Sequence, residues 1–168
     1  MLMRIPEDLV PFAVVGLGAT MLVFIMILHG VGLDLVVTRY KRKSAKFREE
    51  DKHPRLAVLV FAGAVFLMLL LHLSEICLWG LVLRAGGLVP HLHEAVYFSA
   101  NTYTTLGMGS MVLPHTWHEL SPMIAIAGLF TFAWTTSEMF NIVGEQHDLV
   151  AALSARRKKS APSNRKEL

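Results

Sequence analysis

Ionisable side chains inside apolar sequence are the first residues that could do chemistry. His72 and Glu75 lie three residues apart in one long apolar run, and His29 and Glu138 lie in two others. A spacing of three places His72 and Glu75 on one face of a helix, and ionisable groups at membrane depth are costly unless they are paired or functional. We expect a structural brace, with proton sensing as the alternative.

Histidines also cluster on both sides of a short glycine-containing loop. They are His91, His93, His115 and His118. Imidazoles in this number could bind Zn²⁺ or titrate near neutral pH, but their spacing matches no familiar zinc motif. We expect solvated loop residues, and metal or pH modulation stays open as the alternative.

The loop itself, Thr104–Ser110, contains two glycines, Gly107 and Gly109. Glycine adopts positive φ at little cost, whereas a residue with a Cβ pays for it. Such conformations can turn successive carbonyl oxygens toward one axis. Oxygens gathered in this way could replace the hydration shell of a cation.

The elements that position these residues are hydrophobic. The chain has 168 residues, of which 54% are hydrophobic and 17% are charged, and its mean hydropathy is +0.49. These proportions exclude an ordinary soluble domain. Three apolar stretches, 11–37, 56–83 and 120–144, exceed the roughly 20 residues that a helix needs to cross a bilayer. The sequence predicts an all-α membrane protein with three transmembrane helices.

The basic residues predict the orientation. Eight of the 16 lie between the first two spans, at Arg39, Lys41, Arg42, Lys43, Lys46, Arg48, Lys52 and Arg55. Six more lie in the tail, at Arg156, Arg157, Lys158, Lys159, Arg165 and Lys166. Only Arg4 and Arg84 flank the other side, so the positive-inside rule predicts a cytoplasmic C-terminus and an outer N-terminus in a cell membrane. We expect these runs to contact anionic lipid headgroups and not nucleic acid. The tail from Ser154 onward is expected to be disordered.

The segment between the second and third spans contains a run, 93–104, that is too short to cross a bilayer. We interpret it as a re-entrant half-helix followed by extended chain. Irregular backbone at membrane depth is stable only where protein or a water-filled pathway surrounds it.

Ala95–Ser110, with its Thr-Thr-Leu-Gly-Met-Gly-Ser ending, resembles the pore helix and selectivity filter of the pore-loop potassium-channel superfamily. Span, pore helix, filter and span follow in that family's order, and the first span is extra. The resemblance implies a homotetrameric pore with a passive permeant cation, K⁺ first, and no other cofactor. It implies three segments: 1–55 with the first helix and a basic loop, 56–146 as the pore domain, and 147–168 as a basic tail.

The resemblance also assigns roles to the loop residues. K⁺ ligands would be the carbonyls of Thr105, Leu106, Gly107 and Met108 together with the Thr105 hydroxyl, and Gly109 completes the filter. Asn101, Thr104 and Ser110 would support it. Met108 stands where most members have Tyr or Phe, so a weakly selective Na⁺/K⁺ channel is an alternative. Some family members pair a Glu of the pore helix with an Asp that follows the filter. Asn101 and Ser110 stand at those positions here, so a charged pair has become a neutral one.

Helical spacing from the position of the family's hinge glycine gives the pore-lining and gating candidates, which are Gly128, Leu129, Phe132, Thr136 and Phe140. On this placement Glu138 faces away from the axis and is expected to meet another helix through His29.

By the same analogy His72 and Glu75 should hydrogen-bond the pore helix. Their expected partners are Tyr97, Asn101 and Thr102. Trp79 is expected at the membrane interface, Phe98 in packing and Cys77 in the core.

Two alternatives lie outside conduction. A membrane subunit could keep the pore fold without conducting. An intramembrane serine hydrolase using Ser110 with His72 or an outer histidine as base is remote, because no sequence pattern supports either pairing. We expect no enzymatic activity.

Overall fold

The computed structural model describes residues 10–50 and 53–160. Four α-helices follow one another: α1 at Val10–Glu49, α2 at Pro54–Ala85, α3 at Leu92–Tyr103 and α4 at Leu120–Ser160. A single 3-10 turn at His115–Trp117 precedes α4, and the described residues contain no strand. The prediction of an all-α chain is confirmed.

Three helices are long and apolar enough to cross a membrane. The candidate spans are Phe12–Glu49, Pro54–Ala85 and His115–Lys159. Pro54 is the first residue of α2, where its missing N–H costs nothing. The architecture is therefore compatible with a multi-pass membrane protein.

Helices α1 and α4 extend well beyond the predicted spans. With 40 and 41 residues, each is about 60 Å long, roughly twice the thickness of a hydrocarbon core. The basic segment after residue 38 continues α1 to Glu49 instead of forming a loop. The expected disorder from Ser154 is wrong as far as Ser160, because Ala, Leu, Arg and Lys favour helix and Leu153 is buried. Arg4, Lys52, Arg165 and Lys166 lie outside the described residues.

The described residues form two compact units, one made of 10–32 and 70–134 and the other of 33–50, 53–69 and 135–160. The first unit holds the larger buried apolar cluster, which includes Ile25, Trp79, Phe98 and Ile124. It also contains α3 and the loop that follows.

The second unit is held by a smaller apolar cluster and by polar contacts between α1 and α4. Leu149 and Leu153 pack against Ala57. Tyr40 donates a hydrogen bond to Gln146 Oε1 at 3.0 Å, and Arg156 donates to the carbonyl oxygen of Arg48 at 2.7 Å. The basic ends of α1 and α4 therefore lie side by side.

A close approach inside the first unit fixes α3 against α4. A Cβ on Gly128 would fall inside the van der Waals envelope of the Tyr103 carbonyl oxygen. The resemblance assigns Gly128 to a hinge, but α4 runs unbroken from Leu120 to Ser160. The structure gives this glycine a packing reason: only hydrogen leaves room for the last carbonyl of α3.

A Gly128→Ala substitution should therefore destabilise the protein by about 1–3 kcal/mol, because backbone of α3 has to move. Gly144→Ala is the matched control, since nothing lies within 4 Å of that Cβ. Alanine there should leave stability unchanged or raise it by up to about 1 kcal/mol, as expected for an exposed helical glycine. The unfolding midpoint in detergent titrations measures both, and equal effects would contradict the close approach.

Candidate functional site

Helix α3 is anchored on α2 by backbone-to-backbone proximity. A Cβ on Gly80 would come within 2.9 Å of the Val96 Cα. The buried face of α3 carries Ala95, Phe98, Ser99 and Tyr103. Phe98 is a packing residue, as predicted. The orientation of α3 is therefore set by small residues on its neighbours and by its own apolar face.

The end of α3 is closed by a pair of backbone hydrogen bonds. Leu106 N donates to Asn101 O at 2.9 Å and Thr105 N donates to Thr102 O at 3.0 Å. This is the Schellman pattern, whose penultimate residue takes the left-handed conformation and is usually glycine. Here that residue is Thr105, with φ of 56°.

The same chain ends α2 with the same pattern and with the usual residue. Leu88 N donates to Leu83 O at 3.0 Å, Gly87 N donates to Arg84 O at 3.1 Å, and Gly87 has φ of 69°. A β-branched residue in this conformation costs of order 1–3 kcal/mol.

Positive φ then recurs at every second residue of the loop. Thr105, Gly107 and Gly109 have φ of 56°, 68° and 140°, whereas Leu106 and Met108 have negative φ. Alternation of positive and negative φ distinguishes this loop from a regular strand, in which every residue has negative φ.

The carbonyl oxygens of the loop accept no hydrogen bond from the described backbone N–H groups. Among the described residues, no backbone N–H donates to a carbonyl oxygen between Thr105 and Ser110. The whole stretch 104–110 is exposed in the single chain, with Leu106 at 61% and Met108 at 64%. The loop therefore presents both apolar side chains and carbonyl oxygens at the surface of the single chain.

The three predicted support residues differ in their contacts. The Thr104 hydroxyl donates to the Ala100 carbonyl at 2.7 Å and so caps α3. Asn101 Nδ2 donates to the Tyr97 carbonyl at 3.1 Å, and its buried Oδ1 has no hydrogen-bond partner among the described residues. The expected link between Asn101 and Ser110 is therefore not made by the Asn101 amide nitrogen.

Of the pore-lining candidates in the first unit, Leu129 is exposed and Gly128 is buried. Phe132 is partly exposed, and its ring lies 4.5 Å from that of His72 and 5.5 Å from that of Tyr103. In the second unit Thr136 and Phe140 are exposed, and Phe140 reaches 75%. Their lining role stays a prediction.

The predicted brace is present, and its centre is Glu75. Both Glu75 oxygens are engaged: Oε1 is 2.8 Å from His29 Nδ1, and Oε2 accepts from the Tyr103 hydroxyl at 2.5 Å. His72 Nδ1 lies 3.0 Å from the same hydroxyl. Thr131 Oγ1 of α4 is a further partner of Tyr103, at 2.5 Å. One buried polar cluster, His29, His72, Glu75, Tyr103 and Thr131, thus joins all four helices.

Two predicted pairings of this cluster are replaced by others. His72 and Glu75 meet α3 at Tyr103 and not at the expected Tyr97, Asn101 and Thr102. Tyr97 lies on an exposed face of that helix. His29 binds Glu75, while the Glu138 carboxylate accepts a 3.4 Å hydrogen bond from Asn141.

The expected places of Trp79 and Cys77 are also wrong. Trp79 is fully buried, and Cys77 is exposed. Residues two apart on a helix point to nearly opposite faces, so burial of the large ring turns the thiol outward.

The outer histidines form two separate pairs. The rings of His91 and His93 stack at 5.7 Å, and those of His115 and His118 lie 5.2 Å apart. Among the described residues the one group of three or more metal-ligating side chains is His29, His72 and Glu75, and it includes none of these four.

Comparison with family models, with curated proteins and with solved structures found no match to this chain.

Replacing Tyr103 by Phe should lower the free energy of unfolding by about 1–3 kcal/mol, because buried Glu75 loses a donor. Tyr97→Phe is the matched control in the same helix. The Tyr97 side chain is 59% exposed, so its change should stay within about 0.5 kcal/mol. Detergent unfolding titrations compare the two, and an unperturbed Tyr103→Phe protein would contradict the brace.

Proposed function

We propose that four copies of this chain assemble a transmembrane cation channel with K⁺ as the first permeant ion. The observation that carries the proposal is the backbone of Thr105–Gly109. Positive φ at every second residue and carbonyls unbonded by described backbone donors are what a ring of oxygen ligands requires. The Thr105 hydroxyl would add a ligand and would explain a threonine at a strained position.

The exposure of the loop supports assembly into a tetramer. A single loop offers a cation oxygens from one direction only, and desolvation of K⁺ needs ligands all around it. Leu106 and Met108, at 61% and 64% exposed, are apolar groups that neighbouring copies would cover. Mass measurement of the native assembly in detergent should give four chains.

The basic helix ends support a cytoplasmic side shared by α1 and α4. Lys46 and Arg48 lie in the last turn of α1, and Arg157, Lys158 and Lys159 lie in the last turn of α4. Because Arg156 bonds the Arg48 carbonyl, both basic ends occupy one side. The positive-inside rule assigns that side to the cytoplasm.

A pair of glycines gives a sharp test of conduction. Gly107 and Gly87 have nearly equal φ, 68° and 69°, and a Cβ added to either would meet no atom within 4 Å. Alanine should therefore cost each site a similar amount, about 1–2 kcal/mol. K⁺ flux into liposomes should fall to the protein-free level in Gly107→Ala and persist in Gly87→Ala. Equal flux in the two variants, or none in the unsubstituted protein, would refute the channel.

Weak selectivity between Na⁺ and K⁺ is the second candidate. A cavity lies behind the loop, lined by residues of α3 and of 107–111. Met108 lines this cavity, is 64% exposed and has a flexible side chain, so an aromatic ring does not stiffen this wall.

Reversal potentials in asymmetric K⁺ and Na⁺ separate the two candidates. A potential near the K⁺ equilibrium value supports selective conduction, and a potential near zero supports the weakly selective pore. Met108→Tyr should move the potential toward the K⁺ value if wall stiffness limits selectivity.

A further inference from the structure

The strongest unexplained feature is the convergence of metal-ligating atoms in the first unit. His29, His72 and Glu75 each contribute one ligand atom, and all three atoms lie within 4.8 Å of one another. Their side chains are between 0% and 6% exposed. A fully buried carboxylate beside two imidazoles is costly in apolar surroundings, and conduction through the loop does not require it.

The spacing of these atoms is close to that of a tetrahedral metal site. Zn²⁺ binds imidazole nitrogen and carboxylate oxygen at about 2.0–2.2 Å, which separates neighbouring ligand atoms by about 3.4 Å. The distance from His29 Nδ1 to Glu75 Oε1 is 2.8 Å, and that from His72 Nδ1 to Glu75 Oε2 is 3.9 Å. These distances end on different oxygens of one carboxylate. One ligand atom from each residue lies within 4.8 Å of the other two, and the three atoms have to draw together to reach the tetrahedral spacing.

The donor set selects the class of ion. Two imidazoles and one carboxylate suit zinc and neighbouring transition metals, whereas Ca²⁺ and Mg²⁺ prefer all-oxygen sites. The Tyr103 hydroxyl lies beside both Glu75 Oε2 and His72 Nδ1, where it could orient the ligands or supply a fourth. The ring of Phe132 covers His72 and that of Trp134 lies 5.9 Å from His29, so an apolar shell surrounds the group.

We propose that His29, His72 and Glu75 form an intramembrane binding site for a divalent transition-metal ion of the Zn²⁺ class. The ion takes the place of the hydrogen bond that joins His29 to Glu75 in its absence. It joins α1 to α2 and lies next to the residue that ends α3. The inference does not depend on conduction, because metal binding is measured on the purified protein.

The test uses the full chain in detergent, stripped with a chelator and titrated with Co²⁺, whose visible absorption reports tetrahedral coordination. The exposed outer pairs could bind metal themselves. The background protein therefore carries alanine at His91, His93, His115 and His118. It should bind one Co²⁺ per chain with a tetrahedral spectrum, and added Zn²⁺ should abolish that spectrum.

Variants made in this background locate the site. Glu75→Gln and His29→Asn should each weaken binding by at least about 100-fold, and Tyr103→Phe by about 10-fold. His147→Asn is the control, since that side chain is exposed, and its binding should not change.

The proposal would be overturned if the background protein bound no stoichiometric metal. Equal binding by the cluster variants and the control would also overturn it. X-ray absorption of Zn²⁺ bound to the background protein needs no variant to fold. Two imidazole ligands are expected there, and none or one would also overturn it.

Discussion

The first unit depends on hydrogen bonds from its own side chains to one buried carboxylate. Apolar helices in a bilayer gain little from burying apolar groups against each other, so polar contacts and close packing decide how they associate. Glu75 is the one fully buried acidic residue among those described, and its oxygens bind His29 on one side and Tyr103 on the other. Loss of either partner would leave the other groups unsatisfied, at greater cost than the hydrogen bond itself.

This cluster and the loop are connected through the backbone of α3. Tyr103 is the last residue of that helix, and the hydrogen bonds that cap it fix Thr105 and Leu106. The position of the first loop carbonyls therefore follows from the position of Tyr103. Helix α1 contributes to the position of Tyr103 through the contact of His29 with Glu75.

Much of the helical arrangement could be predicted from the sequence, because it depends on local composition. The lengths of the apolar stretches predict three long helices. The short run 93–104 predicts α3 to within one residue at each end. Helix ends were less accurate, since Leu149 and Leu153 extend α4 by contacts that composition does not reveal. Glycine spacing indicated the loop, but the left-handed conformation of Thr105 contradicts residue preference and could not be anticipated.

Pairing was harder to predict than burial. The sequence indicated that His72 and Glu75 need partners, yet it suggested the wrong face of α3. A signal was available: Tyr103 follows Ala95 and Ser99 at intervals of four, and all three are buried. The partner of His29 could not be chosen, because Glu75 and Glu138 are both acidic residues in apolar runs and only tertiary packing distinguishes them.

Tyr103 is held at both ends, with its hydroxyl on Glu75 and its carbonyl against Gly128. The two contacts constrain evolution differently. Glu75 and Tyr103 meet through their side chains, so descendants of this sequence should keep both or exchange them together, and covariation in a deep alignment would record that history. Gly128 faces a backbone carbonyl that any residue at position 103 would present, so it should stay glycine whatever happens at the other two positions.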